Sequence, residues 1–154
     1  MPKTAEAKRS VLVLNGPNLN LLGIREPSIY GRETLADIER RLTATAKAAG
    51  IGIACFQTNI AGAMVDRIQA ARKEGVGFIL INPAAFTYDS VAVRDALTAV
   101  RIPFIEVHLS NIHAREPWRA HSHFTAVAVG CISGLGGRGY DLALDYAIGR
   151  LKTR

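Results

Sequence analysis

The stretch VLVLNGPNLN, residues 11–20, decides the fold, because a short run of Val and Leu passes directly into a turn rich in asparagine. A short apolar run bounded by turn residues is typical of a β-strand that is buried on both faces. Similar runs recur along the whole chain. We predict strands over Val11–Leu14, Ile51–Phe56, Gly77–Ile81, Pro103–Leu109 and Ala126–Ile132.

Amphipathic stretches separate the predicted strands. Their helical spacing predicts helices over Thr34–Ala49, Ala61–Glu74, Ser90–Val100, Arg115–His121 and Tyr140–Leu151. Thr34 and Ser90 are suited to be N-caps, and Gly50 is suited to end the first helix. The alternation indicates an α/β fold, a flavodoxin-like, doubly wound, parallel five-stranded sheet with helices on both faces.

The composition is that of one folded domain. The chain has 154 residues, of which 49% are hydrophobic and 21% charged, which is wrong for a disordered chain. We expect residues 1–10 to be a flexible tail and residues 11–154 to form a single α/β domain. No apolar run approaches the ~20 residues that cross a bilayer, so we predict no membrane contact. Cys55 and Cys131 lie in apolar runs, which favours buried, reduced thiols and therefore a cytoplasmic protein.

The net charge of +6 favours an anionic partner. Most of the basic residues are arginines, whose planar guanidinium groups bind carboxylates and phosphates through paired hydrogen bonds. These arginines are scattered, without a long basic run or interleaved aromatic residues, so nucleic-acid binding is not favoured. We therefore expect a small anionic ligand.

Polar residues follow the predicted strands, where ligands of parallel sheets bind. Asn18, Asn82, Ser110 and Asn111 are candidates at these strand ends. The connection 15–33 exceeds the usual length of about 2 to 6 residues, which indicates a functional lid. It carries Arg25 and Tyr30, and a phenol becomes a useful base only where a cation stabilises its phenolate. A solvated arginine and a packed tyrosine in a surface loop are the alternative.

Glu106 and His108 are two residues apart in a predicted strand, so their side chains leave the same face. A carboxylate beside an imidazole fixes its tautomer and prepares it to donate a proton. The alternative is a structural pair in the core. Arg115 and Arg119 are four residues apart and therefore share one face of a predicted helix. They could present their cations to the cleft, or they could form a solvated helix face.

The sequence favours neither a metal nor an organic cofactor. The four histidines lack the spacing of an ordered ligand motif. A GxGxxG motif at residues 134–139 lies between a strand and a helix, but dinucleotide binding also expects a further strand and an acidic residue about 20 positions on. No lysine follows a strand, and no nucleophile elbow is present. The reaction type that the sequence still favours is acid–base chemistry by Tyr and His around a bound anion.

Three segments resemble the type II 3-dehydroquinate dehydratases, and the likeness extends from Val11 to the last helix. They are LNGPNLNLLGIREPSIYG at residues 14–31, INPAAFTYDSVAVRDAL at residues 81–97 and PFIEVHLSNIHAREPWRAHS at residues 103–122. The resemblance implies a hydro-lyase of the shikimate pathway or of quinate breakdown. It also implies trimers grouped into a dodecamer.

The resemblance implies a role for each matching residue. Tyr30 would be the base, helped by Arg25, with Asn18 near the developing enolate. His108, oriented by Glu106, would protonate the departing hydroxyl. The other matching residues would bind substrate: Asn82, Ser110 and Asn111 its carboxylate, Arg119 a ring hydroxyl, and Asp95 the site of a neighbouring subunit.

Two segments depart from the family pattern. Tyr88 stands where the family's THTS has a histidine that contacts a ring hydroxyl, and the chain has Thr58–Ala63 where SNxEGE is usual. Tyr88 still donates a hydrogen bond, but from a bulkier side chain. These departures keep open an alternative, a catalytically weakened binding or regulatory paralogue on the same scaffold.

Overall fold

The computed structural model describes residues 9–24, 28 and 31–153. The strands are β1 (Ser10–Asn15), β2 (Gly52–Gln57), β3 (Phe78–Asn82), β4 (Phe104–His108) and β5 (Gly130–Ser133). The helices are α1 (Leu35–Ala48), α2 (Ala61–Glu74), the single turn α3 (Phe86–Asp89), α4 (Val91–Val100) and α5 (Arg138–Lys152). None of the helices in these ranges is long and apolar enough to cross a bilayer.

The five strands form one parallel sheet in the order β2-β1-β3-β4-β5. This order is flavodoxin-like, so the prediction is confirmed. In the register of the sheet, Asn15 lies beside both Gln57 and Asn82. Between β4 and β5, Glu106 lies beside Cys131 and His108 beside Ser133. The polar residues are therefore aligned along the side of the sheet where the carboxyl ends of the strands lie.

Helices cover both faces of the sheet, as predicted. On one face, Val11 and Val13 of β1 pack with Leu42 of α1 and Leu144 of α5. On the other face, the alternate residues of β1 pack with apolar residues of the remaining long helices. These residues are Leu12, Leu14, Met64, Ile68, Val93 and Leu97. Successive residues of β1 thus pack into two separate hydrophobic cores, one on each face of the sheet.

The predicted helix caps are confirmed. Thr34 and Asp37 form a capping box, with 3.1 Å from the Asp37 N–H to Thr34 Oγ1 and 3.0 Å from the Thr34 N–H to the Asp37 carboxylate. Ser90 caps α4 by accepting a hydrogen bond from the Val93 N–H. Gly50, with φ of +72°, ends the turn after α1 in the left-handed region.

The predicted helix over Arg115–His121 is wrong. The segment contains two short 3₁₀ turns, Ile112–Ala114 and Pro117–Ala120, with Arg115 in extended backbone between them. Pro117 starts the second turn and lacks the N–H that a continuous α-helix needs. Arg115 and Arg119 consequently do not share a helical face.

The last strand also differs from the prediction. β5 begins at Gly130 because Thr125–Val127 forms a 3₁₀ turn. β2 and β5 are the edge strands of the sheet and are only partly buried, so the prediction of burial on both faces is wrong for them. Cys131 is accordingly exposed, and Cys55 is half-buried; both are free thiols.

The glycine-rich segment 134–139 brings α5 close to the sheet. Gly134, with φ of +91°, turns the chain after β5. A Cβ at Gly139 would lie 3.3 Å from Ile132 and 3.4 Å from Val107. The glycine-rich segment therefore forms a turn that lets α5 pack closely against the sheet.

Candidate active site

A cavity of about 270 Å³ lies at the carboxyl ends of β1, β3 and β4. The side chains that line it come from the strand ends, from α3 and from the 3₁₀ segment. Among them are six of the residues predicted to form the site: Asn18, Asn82, Tyr88, His108, Ser110 and Arg119. The cavity is about the size of a small polar ligand and stands at the edge where ligands of parallel sheets bind.

Glu106 and His108 form a buried pair beneath this cavity. Both side chains leave the same face of β4, as their spacing predicts, and His108 Nε2 lies 2.5 Å from Glu106 Oε2. Because Glu106 accepts from Nε2–H, the carboxylate fixes the tautomer of the neutral imidazole. Nδ1 is then the ring nitrogen that remains for a ligand. His108 itself lines the cavity.

Two hydroxyl groups complete the surroundings of Glu106. Ser122 donates to Oε2 at 2.7 Å and Thr125 donates to Oε1 at 2.5 Å. Burial alone would raise the pKa of the Glu106 carboxyl, but the hydrogen bonds from His108, Thr125 and Ser122 outweigh it and lower that pKa. Glu106 is therefore a fixed anion that orients His108.

This arrangement predicts how stability depends on pH. Since the pKa of Glu106 in the folded protein is below its ordinary value of 4.5, its stabilising effect is complete above that value and is lost as the pH falls through the folded pKa. We expect the difference in unfolding free energy between the unmodified protein and Glu106→Gln to shrink by about 1 kcal/mol between roughly pH 6 and pH 3.

Urea unfolding at several pH values measures this difference directly. The Gln side chain does not titrate, so the comparison removes the contribution of every other acidic group that both proteins share. A difference that stays constant or grows on acidification would contradict the assignment of Glu106 as the buried anion.

Asn82 lies at the floor of the cavity and is 3% exposed. Its Oδ1 accepts from the Ala84 N–H at 3.2 Å, and its Nδ2 donates to the hydroxyl of Tyr140 at 3.0 Å. The Tyr140 hydroxyl donates in turn to Oδ1 of Asn15 at 2.6 Å. Burial raises the pKa of Tyr140 well above its ordinary value, so this phenol stays protonated.

The turn after β1 holds Asn18 at the cavity rim. Asn18 has φ of +67°, a left-handed conformation that asparagine tolerates. Its N–H donates to Oδ1 of Asn59 at 3.0 Å, and Gln57 donates to the same oxygen at 3.1 Å. A Cβ at Gly16 would collide with the carbonyl oxygen of Pro83, so only glycine allows the turns after β1 and β3 to approach this closely.

Tyr88, Trp118 and Arg119 form one wall of the cavity. The rings of Tyr88 and Trp118 meet edge to face with centroids 5.1 Å apart, and the guanidinium carbon of Arg119 lies 4.2 Å from the Trp118 centroid. Arg119 also pairs with Glu116, and its guanidinium carbon lies 5.5 Å from the centroid of the Tyr88 ring. Burial raises the pKa of the Tyr88 phenol despite this cation. The wall is therefore cationic but carries a neutral phenol.

Ser110 lies at the end of β4, where its Oγ accepts from Arg115 at 3.3 Å. Both residues line the cavity. Asn111 lies beside it instead, in an adjoining space of about 430 Å³, where its side chain accepts from the His113 N–H. Ser110 and Arg115 line both spaces.

Of the predicted site residues that the structure describes, Glu106, Asn111 and Asp95 are not among those lining the cavity. Asp95 is on α4 with 61% of its side chain exposed, and it pairs with the neighbouring Arg94. Arg25 and Tyr30 lie outside the described residues. Their roles stay predictions.

Glu106, His108 and Cys131 are the one grouping of possible metal ligands found among the described residues, with ligand atoms within 4.8 Å of one another. Both Glu106 oxygens already accept hydrogen bonds. Although Cys131 is exposed as a residue, partial desolvation of its thiol and the nearby Glu106 carboxylate raise the pKa of Cys131 to about 11, which disfavours the thiolate that a metal requires. The donor chemistry suits proton transfer better than metal binding.

Sequence reasoning missed Ser122, Thr125 and Tyr140. Tyr140 lies 125 positions from Asn15, and no local pattern marks it as a partner of the strand ends. Ser122 and Thr125 lie in an irregular segment, where hydroxyl residues are ordinary. Only the burial of an anionic Glu106, which requires hydrogen-bond donors, indicates that such partners must exist.

The fold and the cavity together define an α/β protein built to bind a small polar molecule beside a fixed imidazole. Residues 9–148 match the family described as dehydroquinase class II. The chain therefore belongs to the class II dehydroquinase family, which confirms the resemblance drawn from the sequence.

Relatives match along nearly the whole chain. The chain is 63% identical over 144 residues to 3-dehydroquinate dehydratase 1 of Ralstonia nicotianae, covering 94% of this chain and 92% of that protein. It is 59% identical over 146 residues to 3-dehydroquinate dehydratase of Chromobacterium violaceum, with coverages of 95% and 94%. The crystal structure of type II dehydroquinase from Butyrivibrio crossotus matches with a TM-score of 0.88 at 44% identity, covering 91% and 97%.

Proposed function

We propose that the protein dehydrates 3-dehydroquinate to 3-dehydroshikimate by acid–base chemistry through an enolate. Membership of the class II dehydroquinase family makes it a lyase. The names of its relatives supply the substrate. The observation that carries the mechanism is the Glu106–His108 pair at the base of the cavity, which is held by hydrogen bonds from Ser122 and Thr125.

In the proposed reaction, the Tyr30 phenolate removes the proton on the carbon alpha to the ketone. The electron pair of that C–H bond moves into an enolate, while Arg25 keeps the phenol ionised. When the ketone re-forms, the carbon–oxygen bond to the leaving hydroxyl breaks. His108 supplies a proton to that oxygen, so the products are water and the conjugated ketone.

Several contacts support His108 as the acid. Glu106 occupies Nε2, so Nδ1 is available to the leaving hydroxyl. The anionic carboxylate stabilises the imidazolium that must donate the proton. Because Glu106 is itself held by Ser122 and Thr125, the pair does not have to reorganise during the reaction.

The remaining residues would bind the anion and the ring. Ser110, Asn82 and the chain at Asn111 would hold the substrate carboxylate, with Arg115 nearby. Arg119 would bind a ring hydroxyl from the wall it shares with Tyr88. Asn18 would stabilise the enolate through a water molecule.

A direct assay tests the proposed function. Purified protein mixed with 3-dehydroquinate is expected to produce the ultraviolet absorbance of the conjugated product, at the same rate with and without a chelator. No absorbance from folded protein would contradict the proposed reaction. A rate abolished by the chelator and restored by added metal would contradict acid–base chemistry without a metal.

The proposal extends to assembly and pathway. We propose a homo-dodecamer, a tetramer of trimers, acting in the cytoplasm in aromatic biosynthesis or in quinate catabolism. The exposed carboxylate of Asp95 is available to a neighbouring subunit in such an assembly. Light scattering that gives a monomer mass at micromolar concentration would contradict this assembly.

Tyr88 predicts a change in affinity. We expect Tyr88→His to lower KM for 3-dehydroquinate about fivefold with little change in kcat, because the smaller imidazole relieves the crowded wall and still donates a hydrogen bond. Tyr88→Phe keeps the bulk and loses the hydroxyl, so it serves as the control and is not expected to lower KM. Steady-state kinetics on both variants checks this. Identical KM values for the unmodified protein and Tyr88→His would contradict it.

The alternative of a weakened binding paralogue is not favoured, because the chain keeps 63% identity to a 3-dehydroquinate dehydratase over 94% of its length. Calorimetry distinguishes the two functions. Tight binding of 3-dehydroquinate without any turnover would support the paralogue.

A further inference from the structure

We propose that Tyr140 is a positioning residue whose buried hydroxyl fixes the direction in which Asn82 presents its amide to the ligand. This inference rests on the proposed function, in which Asn82 binds the substrate. Tyr140 is fully buried on α5 and does not line the cavity. It would act only through Asn82.

The polarity of the hydrogen-bond chain follows from counting donors. A side-chain amide nitrogen only donates and an amide oxygen only accepts. Asn82 Nδ2 therefore donates to the Tyr140 oxygen, and the one Tyr140 hydrogen goes to Oδ1 of Asn15. Asn82 Nδ2 carries a second hydrogen, which takes no part in the hydrogen bonds that join Asn82, Tyr140 and Asn15. A ligand oxygen would accept a hydrogen bond from that second hydrogen.

The opposite polarity is blocked by Ala84. Turning both amides over would let Asn15 donate to Tyr140 and Tyr140 donate to Asn82. However, the Ala84 N–H lies 3.2 Å from the oxygen of Asn82, so an overturned amide would face that donor with its own NH₂ group. Ala84 is held there in a left-handed conformation, with φ of +50°. Ala84 thus determines which end of the Asn82 amide is the donor, and the Tyr140 hydroxyl is the partner that holds that donor in place.

The hydroxyl of Tyr140 also holds Asn15. Asn15 is fully buried, and within residues 9–24, 28 and 31–153 its Nδ2 has no hydrogen-bond partner. Its Oδ1 is paired with Tyr140. The register places Asn15 directly beside Asn82 on adjacent strands. Removing one hydroxyl therefore takes a partner from Asn82, which lines the cavity, and from Asn15 beside it.

Tyr140→Phe tests the inference, with Tyr146→Phe on the same helix as the matched control. Both changes remove one hydroxyl, but Tyr146 is half-exposed and packs its ring against Phe78. For Tyr140→Phe we expect KM for 3-dehydroquinate to rise about tenfold with kcat changed less than about threefold, the size expected for one misdirected hydrogen bond. Tyr146→Phe is expected to match the unmodified protein. An unchanged KM in folded Tyr140→Phe overturns the inference.

A double-mutant cycle separates positioning from a general structural effect. In an Asn82→Ala background, the added Tyr140→Phe change is expected to alter KM less than about twofold, because the amide it positions is gone. An equal effect of Tyr140→Phe in both backgrounds would show that Tyr140 does not act through Asn82. That result overturns the proposal.

Two further readouts keep the test decisive. If the unmodified protein shows no turnover, the proposed function fails, and calorimetric titration of 3-dehydroquinate into both proteins still compares their affinities. If Tyr140→Phe does not fold, a crystal structure of the unmodified protein with bound 3-dehydroshikimate decides. Asn82 Nδ2 is expected at about 3 Å from both Tyr140 Oη and a ligand oxygen. An Asn82 amide turned away from either partner overturns the inference.

Discussion

His108→Ala is expected to lower kcat for 3-dehydroquinate by about a thousandfold while KM changes much less. The alanine removes the proton donor to the leaving hydroxyl, so the carbon–oxygen bond must break without protonation. The buried Glu106 would also lose one of the two partners of its Oε2 and keep the other, Ser122. Product absorbance under saturating substrate measures the effect.

His113→Ala is the matched control, since this histidine is exposed on the neighbouring 3₁₀ turn and does not line the cavity. It is expected to keep the kcat of the unmodified protein. If His108→Ala keeps more than about a tenth of the activity, it falls below the usual contribution of a general acid, and His108 does not have that role.

Tyr30→Phe is expected to reduce kcat by a comparable factor, about a thousandfold, because it deletes the oxygen that removes the proton from carbon. The substitution keeps the aromatic ring and removes only the hydroxyl. A substrate deuterated at the carbon alpha to the ketone shows whether this proton transfer limits the remaining rate. A Tyr30→Phe variant with normal kcat would leave the reaction without its proposed base.

The two variants are also expected to differ in whether they exchange the alpha hydrogen of 3-dehydroquinate with solvent. His108→Ala retains the base, so it is expected still to exchange the alpha hydrogen of 3-dehydroquinate with deuterated water. Tyr30→Phe is expected to lose this exchange together with turnover. Loss of exchange in His108→Ala alone would reverse the assignment of acid and base.

The fold was predictable because its pattern is repeated along the chain. Five apolar runs alternating with amphipathic stretches allow few arrangements other than a parallel sheet covered on both faces. The capping residues Thr34 and Ser90 were visible for the same reason, since each acts within three residues of its own position. Edge strands were less predictable, because burial there depends on what lies beside the strand.

Local spacing also explains why a helix was wrongly predicted over Arg115–His121. The four-residue spacing of Arg115 and Arg119 fits an α-helix, but Pro117 divides the segment into 3₁₀ turns. Both arginines still line the cavity, from a backbone that the periodicity did not predict. The prediction of their location was thus better than the prediction of their secondary structure.

The candidate site was predictable only in part. Strand ends identify Asn82, His108 and Ser110, because parallel strands gather their carboxyl ends at one edge. The partners that orient these side chains come from distant segments, as Tyr140 does for Asn82. Their contribution depends on tertiary distances, which single-sequence patterns do not contain.

A crystal structure with a bound, unreactive analogue of 3-dehydroquinate tests the acid–base mechanism most directly. We expect the Tyr30 oxygen within about 3.5 Å of the carbon that loses its proton and His108 Nδ1 within about 3.2 Å of the leaving oxygen, on the opposite side of the ring. A ligand seated in the cavity with the Tyr30 oxygen remote from that carbon, in every subunit, would contradict the mechanism.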